Sequence, residues 1–304
     1  MSSAATPASA ALPFGRLTTA MITPFRPDGA LDLAAAQKLA NHLVEQGNDA
    51  LVVNGTTGES PTTSDAEKVQ LIEAVLEAVG DRAKVVAGVG TNDTAHTIEG
   101  AKAAEAAGAH GLLVVTPYYN KPPQDGLKAH FTAVADSTGL PVMLYDIPGR
   151  SGVPIRTETL LALAEHPRIV AVKDAKGDLA ATTKVLANSG LVYYCGADEL
   201  NLATLAIGGV GIVSVVAHVA SPQYRQLIDA AVAGDLETAR RIDRQVIPAV
   251  EAIMTRTQGA IMVKAALKLT GILEHTTVRL PLVEASAGLV DGLTTDLKNA
   301  GLTV

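Results

Sequence analysis

The chain has 304 residues, 48% of them hydrophobic but only 3% aromatic, with no tryptophan, so its core must come from Val, Ile, Leu and Ala, which suit parallel strands covered by helices. The formal charge is −7 without a Lys/Arg run, which argues against nucleic acid or an anionic membrane surface as partner. No stretch approaches the roughly 20 apolar residues of a membrane span. The single cysteine, Cys195, excludes an internal disulfide and fits a cytoplasmic location. The length allows one large α/β domain with an appendage. The opening MSSAATPASAALP is rich in Ala, Ser and Pro and lacks the basic start of a secretory signal, so residues 1–14 read as a flexible tail.

Short β-rich runs then alternate with longer helical patterns. TTAMIT (Thr18–Thr23) precedes LDLAAAQKLANHLVEQG, which stops at Gly47; ALVVN (Ala50–Asn54) precedes a helix over Asp65–Val79. KVVAGV (Lys84–Val89) leads to a helix near Thr94–Ala107, and GLLVVT (Gly111–Thr116) to one near Gly126–Asp136. PVMLYD (Pro141–Asp146) precedes Thr157–Glu165, and IVAVKD (Ile169–Asp174) precedes Leu179–Asn188. VYYCG (Val192–Gly196) precedes Glu199–Ile207, and GIVSV (Gly211–Val215) precedes a helix after Pro222. The eight β-then-α units predict a parallel sheet, and the short strands without protective edge charges favour closure. After Gly234 three helical stretches follow with no strand between them, DLETARRIDRQVIPAVEAIM, QGAIMVKAALKLTG and PLVEASAGLVDGLTTDLKNAG. The fold class is therefore α/β, a (β/α)8 TIM barrel over residues 15–234, with a C-terminal helical extension over 235–304.

Barrel enzymes place their chemistry at the C-terminal ends of the strands. Here those ends carry Asn54-Gly55-Thr56-Thr57, Gly90-Thr91-Asn92, Pro117 to Asn120, Tyr145-Asp146, Lys173-Asp174 and Gly196. Lys173 ends an apolar strand; in such surroundings the charged ammonium is disfavoured, and a neutral amine attacks carbonyl carbon to form a Schiff base. The competing reading is a lysine that snorkels into solvent. Tyr145, at the preceding strand end, can exchange a proton with a carbinolamine oxygen if a relay exists, and Thr56 and Tyr119 are candidates for it; otherwise both tyrosines are packing aromatics. GTTGES (Gly55–Ser60) suits a small anion cradle of backbone N–H groups and threonine hydroxyls, and lacks the Lys-Ser/Thr ending of a nucleotide-binding loop. Arg150 offers a bidentate fork to a second carboxylate, or a loop salt bridge worth little. The seven histidines show no ligand spacing and no dinucleotide motif follows a strand, so neither a metal nor a cofactor is expected. Cys195 reads as a small core residue.

AMITPF, VVNGTTGESPTTS, VTPYYNKPPQDGLKAHF, LYDIPGRSG and VAVKDAKGD, in this order and spacing, resemble the dihydrodipicolinate synthase family of pyruvate-dependent class I aldolases from about Leu17 to Leu302. The resemblance implies a Schiff base between Lys173 and pyruvate, with Tyr145, Thr56 and Tyr119 as proton relay. It implies that Thr57 holds the pyruvate carboxylate, Arg150 that of L-aspartate-4-semialdehyde, and that Gly196 and Val213 present backbone carbonyls. It further implies a homotetramer, a dimer of dimers in which Tyr119 enters the neighbouring subunit's site, and a place in diaminopimelate and lysine biosynthesis. A sibling N-acetylneuraminate or 2-keto-3-deoxy sugar acid aldolase is the alternative; a metal-dependent aldolase is disfavoured by the missing histidine cluster. Relatives inhibited by lysine hold its amino group with a glutamate where this chain has His96, and two of their histidines correspond to Asp65 and Lys68. Asn92 and Tyr118 match, leaving a remnant of a regulatory site from which little feedback inhibition is expected.

Overall fold

Eight parallel strands close on themselves in chain order: β1 (Leu17–Ala20), β2 (Ala50–Val53), β3 (Lys84–Gly88), β4 (Gly111–Val115), β5 (Val142–Asp146), β6 (Ile169–Asp174), β7 (Val192–Cys195) and β8 (Gly211–Ser214), which pairs back to β1. This computed structural model describes residues 12–304; residues 1–11 of the expected tail lie outside the described residues. The strands are buried on both faces, by the helices outside and by one another's side chains inside the barrel, which explains their largely Val/Ile/Leu/Ala composition. Around the sheet lie α1 (Leu33–Glu45), α2 (Asp65–Val79), α3 (Thr94–Ala106), α4 (Gln124–Asp136), the short α5 (Pro148–Ser151), α6 (Thr157–Leu163), α7 (Leu179–Asn188), α8 (Asn201–Ala206) and α9 (Ala217–Val232). After the last unit come α10 (Leu236–Met254), α11 (Gly259–Leu269) and α12 (Ala287–Asn299), with α10 packed against α9 and α12.

Local chemistry starts and stops these helices. Asp32, Asp93, Asp178 and Asp235 each accept a first-turn backbone N–H, and Ser64 forms a reciprocal capping box with Glu67 at the head of α2. Gly47, Gly108 and Gly234 follow α1, α3 and α9 with φ of 99°, 91° and 78°, values that favour glycine.

Four expectations are corrected. Phe14, placed in the tail, is fully buried: its ring lies 6.2 Å from that of Tyr194, and the Tyr194 hydroxyl donates to the Gly15 carbonyl at 2.9 Å. A side chain at Gly111 would sit 2.5 Å from the Phe14 ring, so that glycine makes room for the plug at the floor of the barrel. The helix expected after Pro222 has an earlier turn beginning at Ala217, joined across a kink at Ala220 (φ −126°, ψ 22°) that accommodates the proline. The unit expected over Glu199–Ile207 opens with a 3₁₀ turn, Asp198–Leu200. The final helix begins only at Ala287, capped by Ser286, because residues 275–286 run irregularly and are held from the side by Arg279.

Candidate active site

Neighbouring strands set Tyr145 and Lys173 side by side, for they are register partners on β5 and β6. Both are buried, and Lys173 Nζ lies 4.2 Å from the centroid of the Tyr145 ring. Among the described residues Lys173 forms no ion pair. Strand alternation sends the next residues, Asp146 and Asp174, to the opposite face of the sheet. Asp174 accepts the N–H groups of Lys176 and Gly177 and the Thr182 hydroxyl; Asp146 accepts the Ile155 N–H at 3.1 Å and the Lys176 ammonium at 3.1 Å. Burial raises the Asp146 carboxyl above its ordinary value, against the opposing pull of Lys176. The two carboxylates are thus engaged elsewhere, leaving the amine unpaired above an aromatic ring.

Gly196, just past β7, explains how the lysine fits. A methyl group there would lie 2.7 Å from Lys173 Cγ and 2.8 Å from its Cε. The absence of a side chain is what lets the stem of Lys173 lie along the strand end.

Facing the amine is the turn after β2. Its backbone is closed by Glu59 N–H donating to the Thr56 carbonyl at 3.1 Å and Ser60 N–H donating to the Gly55 carbonyl at 3.3 Å. The Thr23 hydroxyl fixes the Gly58 carbonyl at 2.6 Å. Thr57 is buried and Thr56 half-buried. Lys173, Tyr145, Thr56, Thr57, Gly196 and Arg150 line one cavity of about 40 Å³, together with Ala20, Val52, Leu113, Ile147, Val215 and Met254. It opens past Thr56, Tyr145 and Arg150 into a vestibule of about 270 Å³ that is also lined by Tyr118 and Tyr119.

The remaining residues named from the sequence fall less uniformly. Tyr119 stands at the vestibule, 88% exposed and with φ of 74°, and among the described residues no hydrogen bond joins it to Thr56 or Tyr145. Val213 is buried within β8 but does not line the cavity; Val215, two residues on, takes that place. Asp65, Lys68 and His96 converge: His96 Nε2 lies 2.9 Å from one Asp65 oxygen and Lys68 Nζ 3.2 Å from the other. The His96 hydrogen bond, followed by Lys68, holds the Asp65 carboxyl below its ordinary value despite some desolvation. Those three line a separate small cavity with Ser60, whereas Tyr118 belongs to the vestibule and the Asn92 carbonyl accepts from Asn120. Sequence reasoning missed Met254, which reaches the cavity from the end of α10, and no local signal marks it. Among the described residues no group of His, Cys, Asp and Glu is arranged to hold a metal ion, and no helix is long and apolar enough to cross a membrane.

A buried amine at a strand end of a closed parallel barrel, sharing one cavity with threonine hydroxyls and a guanidinium, defines a barrel enzyme of the lyase class that acts on carbonyl compounds. The family model described as "Dihydrodipicolinate synthetase family" matches residues 13–300, and the chain belongs to that family. It is 64% identical over 298 residues to the 4-hydroxy-tetrahydrodipicolinate synthase of Kineococcus radiotolerans, covering 98% of this chain and 97% of the relative. It is 62% identical over 290 residues to 4-hydroxy-tetrahydrodipicolinate synthase 2 of Streptomyces coelicolor, covering 95% and 96%. Among solved structures it resembles the dihydrodipicolinate synthase of Bacillus anthracis, with TM-score 0.91, 39% identity and coverage of 94% and 98%. It also resembles the pyruvate complex of the Acinetobacter baumannii dihydrodipicolinate synthase, with TM-score 0.91, 34% identity and coverage of 95% and 100%.

Proposed function

We propose that this chain condenses pyruvate with L-aspartate-4-semialdehyde, the reaction of 4-hydroxy-tetrahydrodipicolinate synthases in diaminopimelate and lysine biosynthesis. The observation that carries the reading is the buried, unpaired amine of Lys173 over the Tyr145 ring. In this mechanism Thr57 and the turn around it receive the pyruvate carboxylate. The Lys173 amine attacks the keto carbon, and Tyr145 passes a proton to the oxygen that leaves as water. The resulting iminium acidifies the methyl group; loss of a proton gives an enamine whose carbon attacks the aldehyde. The amino group of the second substrate then adds to the iminium carbon, which closes the six-membered ring and expels the Lys173 amine.

Arg150 is assigned the second substrate's carboxylate, since it stands where cavity and vestibule meet. A short dicarboxylic route is favoured over a sugar-acid lyase by that guanidinium and by the names of the relatives at 62–64% identity. Gly196 and Val213 are assigned backbone carbonyls near the pyruvate site, Gly196 from the cavity wall and Val213 from within β8. Tyr119, exposed and in a left-handed conformation, fits a role in a neighbouring subunit, which supports a homotetramer. In this reading residues 15–234 carry the chemistry and 235–304 support it, and the enzyme works in the cytoplasm, as its lone buried thiol suggests. The deciding experiment compares condensation of L-aspartate-4-semialdehyde with pyruvate against cleavage of sialic acid without added pyruvate: turnover in the first assay alone is expected, and turnover in the second alone would refute the assignment.

A further inference from the structure

The turn that carries Thr56 and Thr57 is tied to the C-terminal helices by an ion pair closed off from solvent. Lys264 on α11 is 0% and Glu59 3% exposed. Lys264 Nζ donates to Glu59 Oε1 at 2.5 Å and to the Thr277 carbonyl at 2.7 Å. The second Glu59 oxygen accepts the Arg279 backbone N–H at 2.9 Å. Arg279 in turn grips Glu67 and the carbonyls of Gly29 and Thr62, and Phe25 lies between the two cations, its ring centroid 4.3 Å from each.

Glu59 itself sits in the left-handed region, φ 55°. A non-glycine residue holds that conformation only where its surroundings over-determine it. Here its side chain is locked by Lys264 and Arg279, while its backbone N–H closes the turn onto the Thr56 carbonyl. A buried ion pair is a poor way to gain stability, since well-packed apolar residues often serve as well. Its placement two residues from Thr57 gives it a different use.

We propose that Glu59 and Lys264 are positioning residues: the pair fixes the backbone of the turn and so holds Thr56 and Thr57 at the spacing that receives the pyruvate carboxylate. This deepens the functional reading and rests on it. Through the pair, the C-terminal helical region sets the shape of the carboxylate cradle from outside the barrel.

Glu59→Gln keeps the volume and removes the charge; the double variant Glu59→Gln/Lys264→Met removes both charges and leaves no buried ion unpaired. Each is assayed for the pyruvate concentration that half-saturates borohydride trapping on Lys173, for kcat at saturating pyruvate, and for melting temperature. The half-saturating concentration is expected to rise about ten- to a hundredfold, the loss of one charge-assisted contact to the carboxylate, and kcat at saturation to fall as well, because Thr56 also belongs to the proton relay. An unchanged half-saturation with a lowered melting temperature would make the pair purely structural and overturn the proposal, as would failure of both variants to fold. If the unaltered chain itself traps no pyruvate on Lys173, the functional reading has failed first and the proposal goes with it.

Discussion

Replacing Gly196 by alanine tests how tightly the lysine stem is held. The new methyl would lie 2.7 and 2.8 Å from Lys173 Cγ and Cε and 3.3 Å from the Asp174 carbonyl. Comfortable carbon–carbon contacts lie at about 3.5–4.0 Å, so the stem must shift by about 1 Å. Both struck carbons belong to the stem, so the amine moves with them. Gly196 does not use the left-handed backbone region, so alanine adds crowding without backbone strain. Overpacking of this kind costs about 1–3 kcal/mol of stability, whereas a 1 Å displacement of a reacting group costs about a hundredfold in rate. The assay is the rate at which pyruvate and borohydride label Lys173, with a urea unfolding midpoint measured alongside. A labelling rate about a hundredfold lower in a folded protein is expected; an unchanged rate would refute the claim that Gly196 shapes the nucleophile.

Arg150→Ala should lower kcat/KM for L-aspartate-4-semialdehyde by about ten- to a hundredfold, the loss of one charge-assisted contact, while leaving pyruvate labelling intact; equal damage to both would make Arg150 structural. His218 is buried, its Nε2 accepts the Ile22 N–H at 3.1 Å, its Nδ1–H donates to the Val215 carbonyl at 2.7 Å, and burial lowers its pKa from 6.5 to about 4. The folded chain therefore resists a proton that the unfolded chain takes up, so stability is full above about pH 6.5 and falls toward pH 4 by about 1.4 kcal/mol per unit, about 3 kcal/mol in all; urea midpoints measured across that window should show a slope that His218→Gln reduces. Phe14→Ala should cost about 3–5 kcal/mol in urea unfolding without moving pyruvate half-saturation, because the plug lies at the end of the barrel opposite the site. Initial rates across a lysine titration should show little inhibition at sub-millimolar lysine, since His96 offers no anion and Asp65 is already bound by His96 and Lys68; strong inhibition would show that the remnant still works.

The strands were legible because each is a short, mostly apolar run, all but β1 with Gly, Asp or Asn at an end, and the closed order followed from their number and spacing. Lys173, Tyr145, Thr56, Thr57, Gly196 and Arg150 all line the cavity because the barrel brings its strand ends together whatever lies between them. The sequence did not point to Val215, which lies just past β8 and lines the cavity, whereas Val213 was singled out for its backbone carbonyl within the strand. Phe14 was unreadable as core because Ala, Ser and Pro surround it, and its socket at Gly111 and Tyr194 lies far along the chain. The Glu59–Lys264 pair spans 205 positions, and neither residue differs locally from the solvated charges around it. Contacts of that range are products of tertiary packing, invisible to periodicity.

The most direct test of the whole account is where pyruvate attaches. The unaltered chain is incubated with pyruvate and borohydride, digested, and the labelled peptide mapped by mass. A single adduct on Lys173 is expected, abolished by Lys173→Ala in a chain that still folds. An adduct on Lys176, Lys121 or any other lysine, or none at all, would contradict the assignment of the nucleophile and the chemistry built on it.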